Sequence, residues 1–353
     1  MILRKSLWVA LMLGLVLAAC TTPPPTPPEA TPTPAGPPVP TETPIPEVRT
    51  LTICLGEEPN TLYPYGAPNA AARSVLAAIQ DGPIDAVGYE YQPVILTRLP
   101  SVANGDAQIS SVSVPNGGQI IDASGNVVML QKGVRLRPGG CRGDDCAITY
   151  DGTGSVNMDQ MSVIFHIRPD ITWSDGTPLT AEDSVYSFTL ASDAASLGST
   201  YLVDRTKTYE AADATTVQWW GKPGFIDPTY FTNFWTPAPK HVWSQFSASE
   251  LPKIDAASRT PLGWGPYLVQ EWLPADHITL KKNPNYFRAA DGFPKFDNLI
   301  FRFIADPNSA ISELAARRCD LLDPTVRLDG QAELLRQMQD SGQLQASFAP
   351  GMI

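Results

Sequence analysis

Histidine is nearly absent from this chain of 353 residues. His166, His241 and His277 are the only three, and none stands at a metal-ligand spacing from another. Cysteine is scarce too: Cys20, Cys54, Cys141, Cys146 and Cys319, with no second pair placed to complete a zinc site with Cys141 and Cys146. There is no Walker-type phosphate loop, no Gly-x-Ser-x-Gly elbow and no His-Glu-x-x-His, so no motif offers a phosphate cradle, a serine nucleophile or a metalloprotease helix. Acidic residues are plentiful, yet sequence alone nominates no pair for acid–base work. Positive charge is in deficit, 25 Lys and Arg against 36 Asp and Glu, a net charge of −11. Without residues 1–19, which carry Arg4 and Lys5, the charge is −13. That balance argues against a nucleic-acid partner, which calls for a basic patch, and against binding anionic lipid through a basic face. No cofactor and no enzymatic activity are expected.

What is present begins with an export signal. Arg4 and Lys5 precede an apolar run from Leu7 to Ala19. That run is shorter than the ~20 residues that cross a bilayer and has the length of a signal-peptide core. It ends Leu17-Ala18-Ala19-Cys20, which resembles the lipobox of bacterial lipoproteins; the resemblance makes Cys20 the lipidated first residue of the mature chain. The alternative is an ordinary signal peptide with a chance cysteine. Residues 20–47 then form a Pro/Thr-rich linker; 12 of the 35 prolines lie between 21 and 47, too many for a packed core. Such a stretch is extended, at ~3.1 Å per residue, and reads as a tether from the membrane.

The length beyond this tether calls for more than one domain. Leu51, Ile53 and Leu55 alternate as a first strand; Ala71, Val75, Leu76 and Ile79 mark a helix stopped by Gly82-Pro83. Residues 84–160 are irregular, with a hairpin turn at Asp122–Asn126. Cys141 and Cys146 enclose Arg-Gly-Asp-Asp, and in an oxidising compartment this spacing favours a local disulfide. A calcium loop is the weaker reading, since no EF-hand pattern is present. Val163, Phe165 and Ile167 alternate as a strand, Trp173–Pro178 is a turn with Gly176 free to take positive φ, and Thr180 with Asp183 forms a capping box. Val185 and Phe188 give that helix its apolar stripe. Further strands are expected at Thr216–Trp220, at a hairpin turning on Pro274-Ala275-Asp276, and at Leu299, Phe301 and Phe303. Asp306-Pro307 opens a helix with Ile311 and Leu314 on one face.

Three stretches carry a resemblance. They are Gly56-Glu-Glu-Pro-Asn-Thr-Leu62; Phe165-His-Ile-Arg168 followed by Trp173-Ser-Asp-Gly-Thr-Pro-Leu-Thr-Ala-Glu-Asp183; and Gly263-Trp-Gly-Pro-Tyr267 with Asn283-Pro-Asn-Tyr286. Together they resemble extracytoplasmic solute-binding proteins of the oligopeptide/dipeptide class, family 5, which feed ABC importers. The resemblance implies a mixed α/β (α+β) fold of the periplasmic-binding-protein type, two lobes with an extra small domain. It assigns 48–66 and 205–304 to the first lobe, 67–204 to the smaller inserted domain, and 305–353 to the start of a second lobe, largely missing. Two departures stand out. Trp264 occupies a place where the family commonly has a small polar residue, which would reshape the cleft wall. The family's Gly-x-x-Asp reads Arg317-Arg318-Cys319-Asp320 here.

What the resemblance implies for function is capture of peptides, or a related small solute, outside the cytoplasmic membrane and delivery to permease and ATPase subunits. The competing classes are a secreted lipid-anchored hydrolase, for which a nucleophile or metal motif is lacking, and a structural surface protein. Relatives also carry nickel, sugars and opines, and the scarcity of histidine argues against nickel. Ligand contacts are expected near strand exits: Tyr65 and Asn69 after the first strand, Tyr201 in a segment that reaches the cleft in relatives, and Trp264 and Phe301 at strand positions able to face it. The second lobe supplies most end-group contacts in the family, so the chain is expected to bind peptide without high affinity and to expose an apolar patch at Ile311 and Leu314. For the anchor, mass spectrometry of the membrane fraction should find a diacylglyceryl group on Cys20; a soluble mature chain starting elsewhere overturns that reading.

Overall fold

The computed structural model describes residues 47–347; Cys20, the export signal, most of the Pro/Thr stretch and residues 348–353 lie outside the described residues. Among the described residues, nine strands build two main sheets. In chain order they are β1 (Thr50–Leu55), β2 (Ala107–Pro115), β3 (Ser155–His166), β4 (Thr206–Ala211), β5 (Thr216–Gly221), β6 (Tyr267–Leu273), β7 (His277–Lys282), β8 (Asn298–Phe303) and β9 (Leu321–Leu322). The main helices are α1 (Ala70–Ile79), α2 (Ala181–Ser192), α3 (Pro307–Ala315) and α4 (Ala332–Asp340).

The first sheet runs β6-β7-β8-β1-β9. Its β1 is parallel to both neighbours, pairing Ile53 with Phe301 on β8 and with Leu321 on β9. Because side chains alternate, Leu51, Ile53 and Leu55 face one way, with Leu299, Phe301, Ile278 and Leu280, and α1 covers them with Ala72, Val75 and Ile79. Arg302 points to the opposite face, where its guanidinium reaches Glu313 of α3 at 2.7 Å. The two helices thus lie on opposite faces of the sheet.

The second sheet, β4-β5-β3-β2, is wholly antiparallel. One face buries Met161, Val163, Phe165, Val217, Trp219 and Tyr209 in the largest core. The other carries Gln108, Ser162 and Gln218. The register decides which sheet each strand joins. Strand β5, expected in the first lobe, pairs with β3 because Val217 and Trp219 share its buried face, and β4 follows by pairing with β5. Likewise α1, expected in the inserted domain, covers the first sheet, and β9, expected in a second lobe, completes it. Below the second sheet, residues 119–150 form a satellite cluster around Ile120, Leu130, Leu136 and Tyr150. The hairpin turns where Gly125 takes φ +85°, and Cys141 and Cys146 are bonded at 2.08 Å.

Helix α2 opens as its sequence directs, the Thr180 amide donating to Asp183 Oδ2 at 2.8 Å. Its buried face, however, runs through Asp183, Ser184, Ser187 and Leu190, while Val185 and Phe188 are only partly covered. The serines are satisfied: Ser184 Oγ donates to the Trp235 carbonyl and Ser187 Oγ to that of Thr236. Segment 235–240 is therefore laid along the helix by hydrogen bonds as well as by the packing of Trp235 on Phe188, centroids 4.7 Å apart.

The two longest family-like stretches meet each other. The Ser174 amide donates to the Gly263 carbonyl at 2.8 Å, and Asn285 Nδ2 donates to the Ser174 carbonyl at 3.0 Å. Trp173 and Trp264, both fully buried, pack edge to face with centroids 5.3 Å apart. The Gly265 amide donates to the Ile79 carbonyl at the end of α1. A Cβ on Gly263 would lie 1.8 Å from that carbonyl oxygen, so only glycine fits. Gly263→Ala should cost about 3 kcal/mol by forcing backbone apart. Urea denaturation measures it; an unchanged midpoint would show that the contact is not obligatory.

Candidate ligand-binding site

In open sheets with parallel strands, ligands bind outside the carboxyl ends of the strands, where successive connections leave in opposite directions. Strand β1 has such a position. Its own chain leaves toward α1 on one face, whereas β8 leaves toward α3 on the other. A crevice of about 380 Å³ opens there, lined by Gly56, Glu57, Ser74, Asp323, Thr325 and Arg327 among others.

Each wall is set by local chemistry. After β9, the Asp323 amide donates to the Cys54 carbonyl at 2.9 Å, extending the ladder by one bond. The Asp323 carboxylate then works in two directions, accepting from its own turn at the Thr325 amide (2.8 Å) and from Ser74 Oγ on α1 (2.7 Å). Pro324 cannot donate a backbone N–H, so this Asp-Pro-Thr turn relies on the side-chain acceptor. The Gly56 amide donates to Thr325 Oγ1 at 2.9 Å, and a Cβ on Gly56 would stand 2.2 Å from the Thr325 carbonyl oxygen. The rim carries Glu57 and Arg327, exposed and of opposite charge. Neither enters an ion pair among the described residues; Glu57 accepts only a long 3.4 Å bond from the Ala71 amide. Glu58 is committed elsewhere, accepting from Trp272 Nε1 at 2.8 Å and the Ala275 amide at 3.0 Å, which ties the loop after β1 to the β6–β7 hairpin.

A larger apolar cavity of about 920 Å³ lies beyond β9, among Leu314, Leu321, Leu322, Leu328 and Leu335. Arg317, Asp320, Gln343 and Gln345 also line it, but it lies at the edge beyond β9, whereas the crevice lies at the carboxyl ends of the parallel strands. Leu314 lines this cavity, but Ile311 is 3% exposed because α3 packs against β9, which corrects the expectation of an open patch there.

The five expected contacts lie apart from the crevice. Trp264 is 0% exposed, stacked on Trp173 with its indole donating to the Asp81 carbonyl at 2.9 Å; it fills the core and shapes no cleft wall. Phe301 points from β8 toward α1 and is also buried. Asn69 is the cap of α1, accepting from the Ala72 amide and donating to the Glu58 carbonyl. Tyr65 packs edge to face on Tyr63 beside Trp243, and burial pushes its phenol up to about 12. Tyr201 is exposed, its ring covered by the Arg205 guanidinium at 3.7 Å. Distance along the chain from a strand exit points to these positions, whereas the crevice joins Gly56, Glu57, Ala70 and Ser74 to the turn at 323–327; Asn69 directly precedes its lining residue Ala70. The Asp323-Pro324-Thr325 turn after a short apolar pair was the available signal. Among the described residues no group of three or more His, Cys, Asp or Glu could hold a metal, and no helix is long and apolar enough to cross a membrane.

Known proteins share this sequence pattern and this architecture. The model of "Bacterial extracellular solute-binding proteins, family 5 Middle" matches residues 151–351. The oligopeptide-binding protein AppA of Bacillus subtilis is 27% identical over 159 residues, covering 42% of this chain and 27% of that protein. An oligopeptide-binding protein of Thermus thermophilus, solved with a pentapeptide, superposes with a TM-score of 0.53 at 18% identity, covering 76% of this chain and 43% of that one. MoaA of A. tumefacien R10, solved with mannopinic acid, gives 0.54 at 18% identity, covering 84% and 48%. The chain thus spans less than half the length of each of these proteins.

Glu313 of α3 joins β8 to the turn before β9, pairing with Arg302 at 2.7 Å and Arg318 at 2.6 Å. Arg318 and Arg302 hold its carboxyl down at about 2, from an ordinary 4.5. A depressed carboxylate contributes stability that is fully present above about 4.5 and is lost as pH falls toward about 2. Glu313→Gln should therefore lower the melting temperature near neutrality and lose that difference across this acid window. A variant whose deficit is constant with pH would show that the pairing contributes nothing.

Proposed function

Because the chain belongs to the bacterial extracellular solute-binding proteins of family 5, we propose that it captures peptides, or a related small solute, outside the cytoplasmic membrane and hands them to the permease of an ABC importer. The observation that carries this reading is the crevice at the carboxyl ends of β1 and β9, whose rim holds Glu57 and Arg327 without ion-pair partners among the described residues. Opposite charges flanking backbone and hydroxyl groups suit a zwitterionic chain with a main-chain hydrogen-bonding pattern. The relatives are binding proteins, which supports a binding role over a hydrolytic one.

In this reading the first lobe is the five-stranded sheet with α1 and α3, and the smaller domain is built on the four-stranded sheet. Cys20 carries the lipid, residues 1–19 are removed, and the Pro/Thr stretch is the tether. Capture works by population shift: ligand binds the form in which both walls of its cleft are engaged, and the importer reads that form.

A mixed tri- to pentapeptide pool, titrated into the full chain and followed by ligand-observed NMR, should show binding at the crevice. Arg327→Gln and Glu57→Gln should each weaken it about tenfold, the equivalent of about 1.4 kcal/mol. Binding unaffected by both substitutions would move the site elsewhere, and no detectable binding would remove the peptide reading.

A further inference from the structure

Strand β9 is only two residues long and, among the described residues, has a partner on one side alone. It nevertheless delivers Asp323, Thr325 and Arg327, one whole wall of the crevice. Few bonds hold it. The Thr52 amide donates to Asp320 Oδ2 at 2.7 Å, the Asp320 amide to the Thr52 carbonyl at 2.8 Å, and the Asp323 amide to the Cys54 carbonyl at 2.9 Å. The turn leading into β9 is itself unfavourable, since Arg317 adopts a left-handed conformation at φ +57° without the freedom of glycine. Leu321 is half exposed. By the usual measures of local stability this short edge is a place where the sheet frays.

One covalent link opposes the fraying. Cys54 of β1 is bonded to Cys319, with Cα atoms 5.8 Å apart and both residues buried. The bridge spans 265 positions of sequence and enters the chain four residues before Asp323. On the other strand it sits two residues before Gly56. It therefore joins the two walls of the crevice directly behind their lining residues.

We infer that Cys54–Cys319 is a positioning cross-link for the crevice. It holds the 323–327 turn at the exit of β1, so that ligand meets an ordered wall. Without it, ordering of that turn is charged against binding, and affinity falls even where the sheet remains folded. The inference rests on the crevice being the ligand site, but its physical core, a turn ordered by the bridge, is measurable without ligand. The second disulfide, Cys141–Cys146, closes a small loop in a different cluster and serves as the control.

Hydrogen–deuterium exchange with mass spectrometry on the full chain provides the test. It compares the wild type, Cys54→Ala with Cys319→Ala, and Cys141→Ala with Cys146→Ala. The first pair should speed exchange across 320–327 about tenfold or more while β6, β7 and β8 keep their protection. The control pair should leave 320–327 unchanged. Unchanged exchange at 320–327 in the first pair overturns the inference. So does a uniform rise over the whole chain, which would make the bridge a global staple. If the alanine pair does not fold, Cys54→Val with Cys319→Ala restores lost volume and is read in the same way. The peptide pool is a separate arm: about tenfold weaker binding in the first pair only is expected. A wild type that binds no peptide but shows the exchange pattern leaves the cross-link standing and removes the peptide reading.

Discussion

The contact between Gly263, Gly265 and the last turn of α1 is the constraint on which both cores depend. Backbone meets backbone there, with no side chain between, and the Gly265 amide satisfies the Ile79 carbonyl. Trp264, held between these two glycines, turns the other way into the core of the four-stranded sheet, against Trp173. Its indole donates to the Asp81 carbonyl, and Asp81 also accepts from the Tyr286 hydroxyl at 2.5 Å. A few residues thus belong to two cores at once, and α1 keeps its place under β1 only while that clasp is closed. The crevice inherits this order, because Ser74 reaches Asp323 from α1.

Much of the fold was legible in the sequence because its signals are local. Asn69 begins and Gly82-Pro83 follows a helix whose buried residues recur at helical spacing. The Trp173–Pro178 turn takes positive φ at Gly176, and the capping box at Thr180 and Asp183 forms as spaced. What local signals leave open is which sheet each strand joins. Strand β4 reads equally well as part of either sheet until the register of β5 on β3 is known, and that register depends on Trp219 and Val217 sharing a face with Val163 and Phe165. Val185 and Phe188 pack on the core as the apolar stripe implies, but the interior place of the α2 serines was hidden for a related reason. Serines score as surface residues, and only the carbonyls of Trp235 and Thr236 make Ser184 and Ser187 interior.

The candidate site was the least legible part. The family-like stretches around Trp173 and Gly263 build the clasp and do not line the crevice. They mark the fold, and fold alone does not locate function. The crevice is instead assembled from the end of β1 and the turn after β9, two pieces that no local pattern links. Trp264 and Phe301 were attractive as ligand contacts because large aromatics line many clefts; here their burial decides otherwise, since both are already enclosed by the protein's own side chains.

The central place of β1 also has a consequence for the order of assembly. Its partners begin at Asn298 and Leu321, so the first strand to leave the ribosome is among the last to be paired. The four-stranded sheet and the β6–β7–β8 meander draw on nearer neighbours and form sooner. Until then Leu51, Ile53 and Leu55 travel as an unpaired apolar edge, the kind of segment that chaperones recognise.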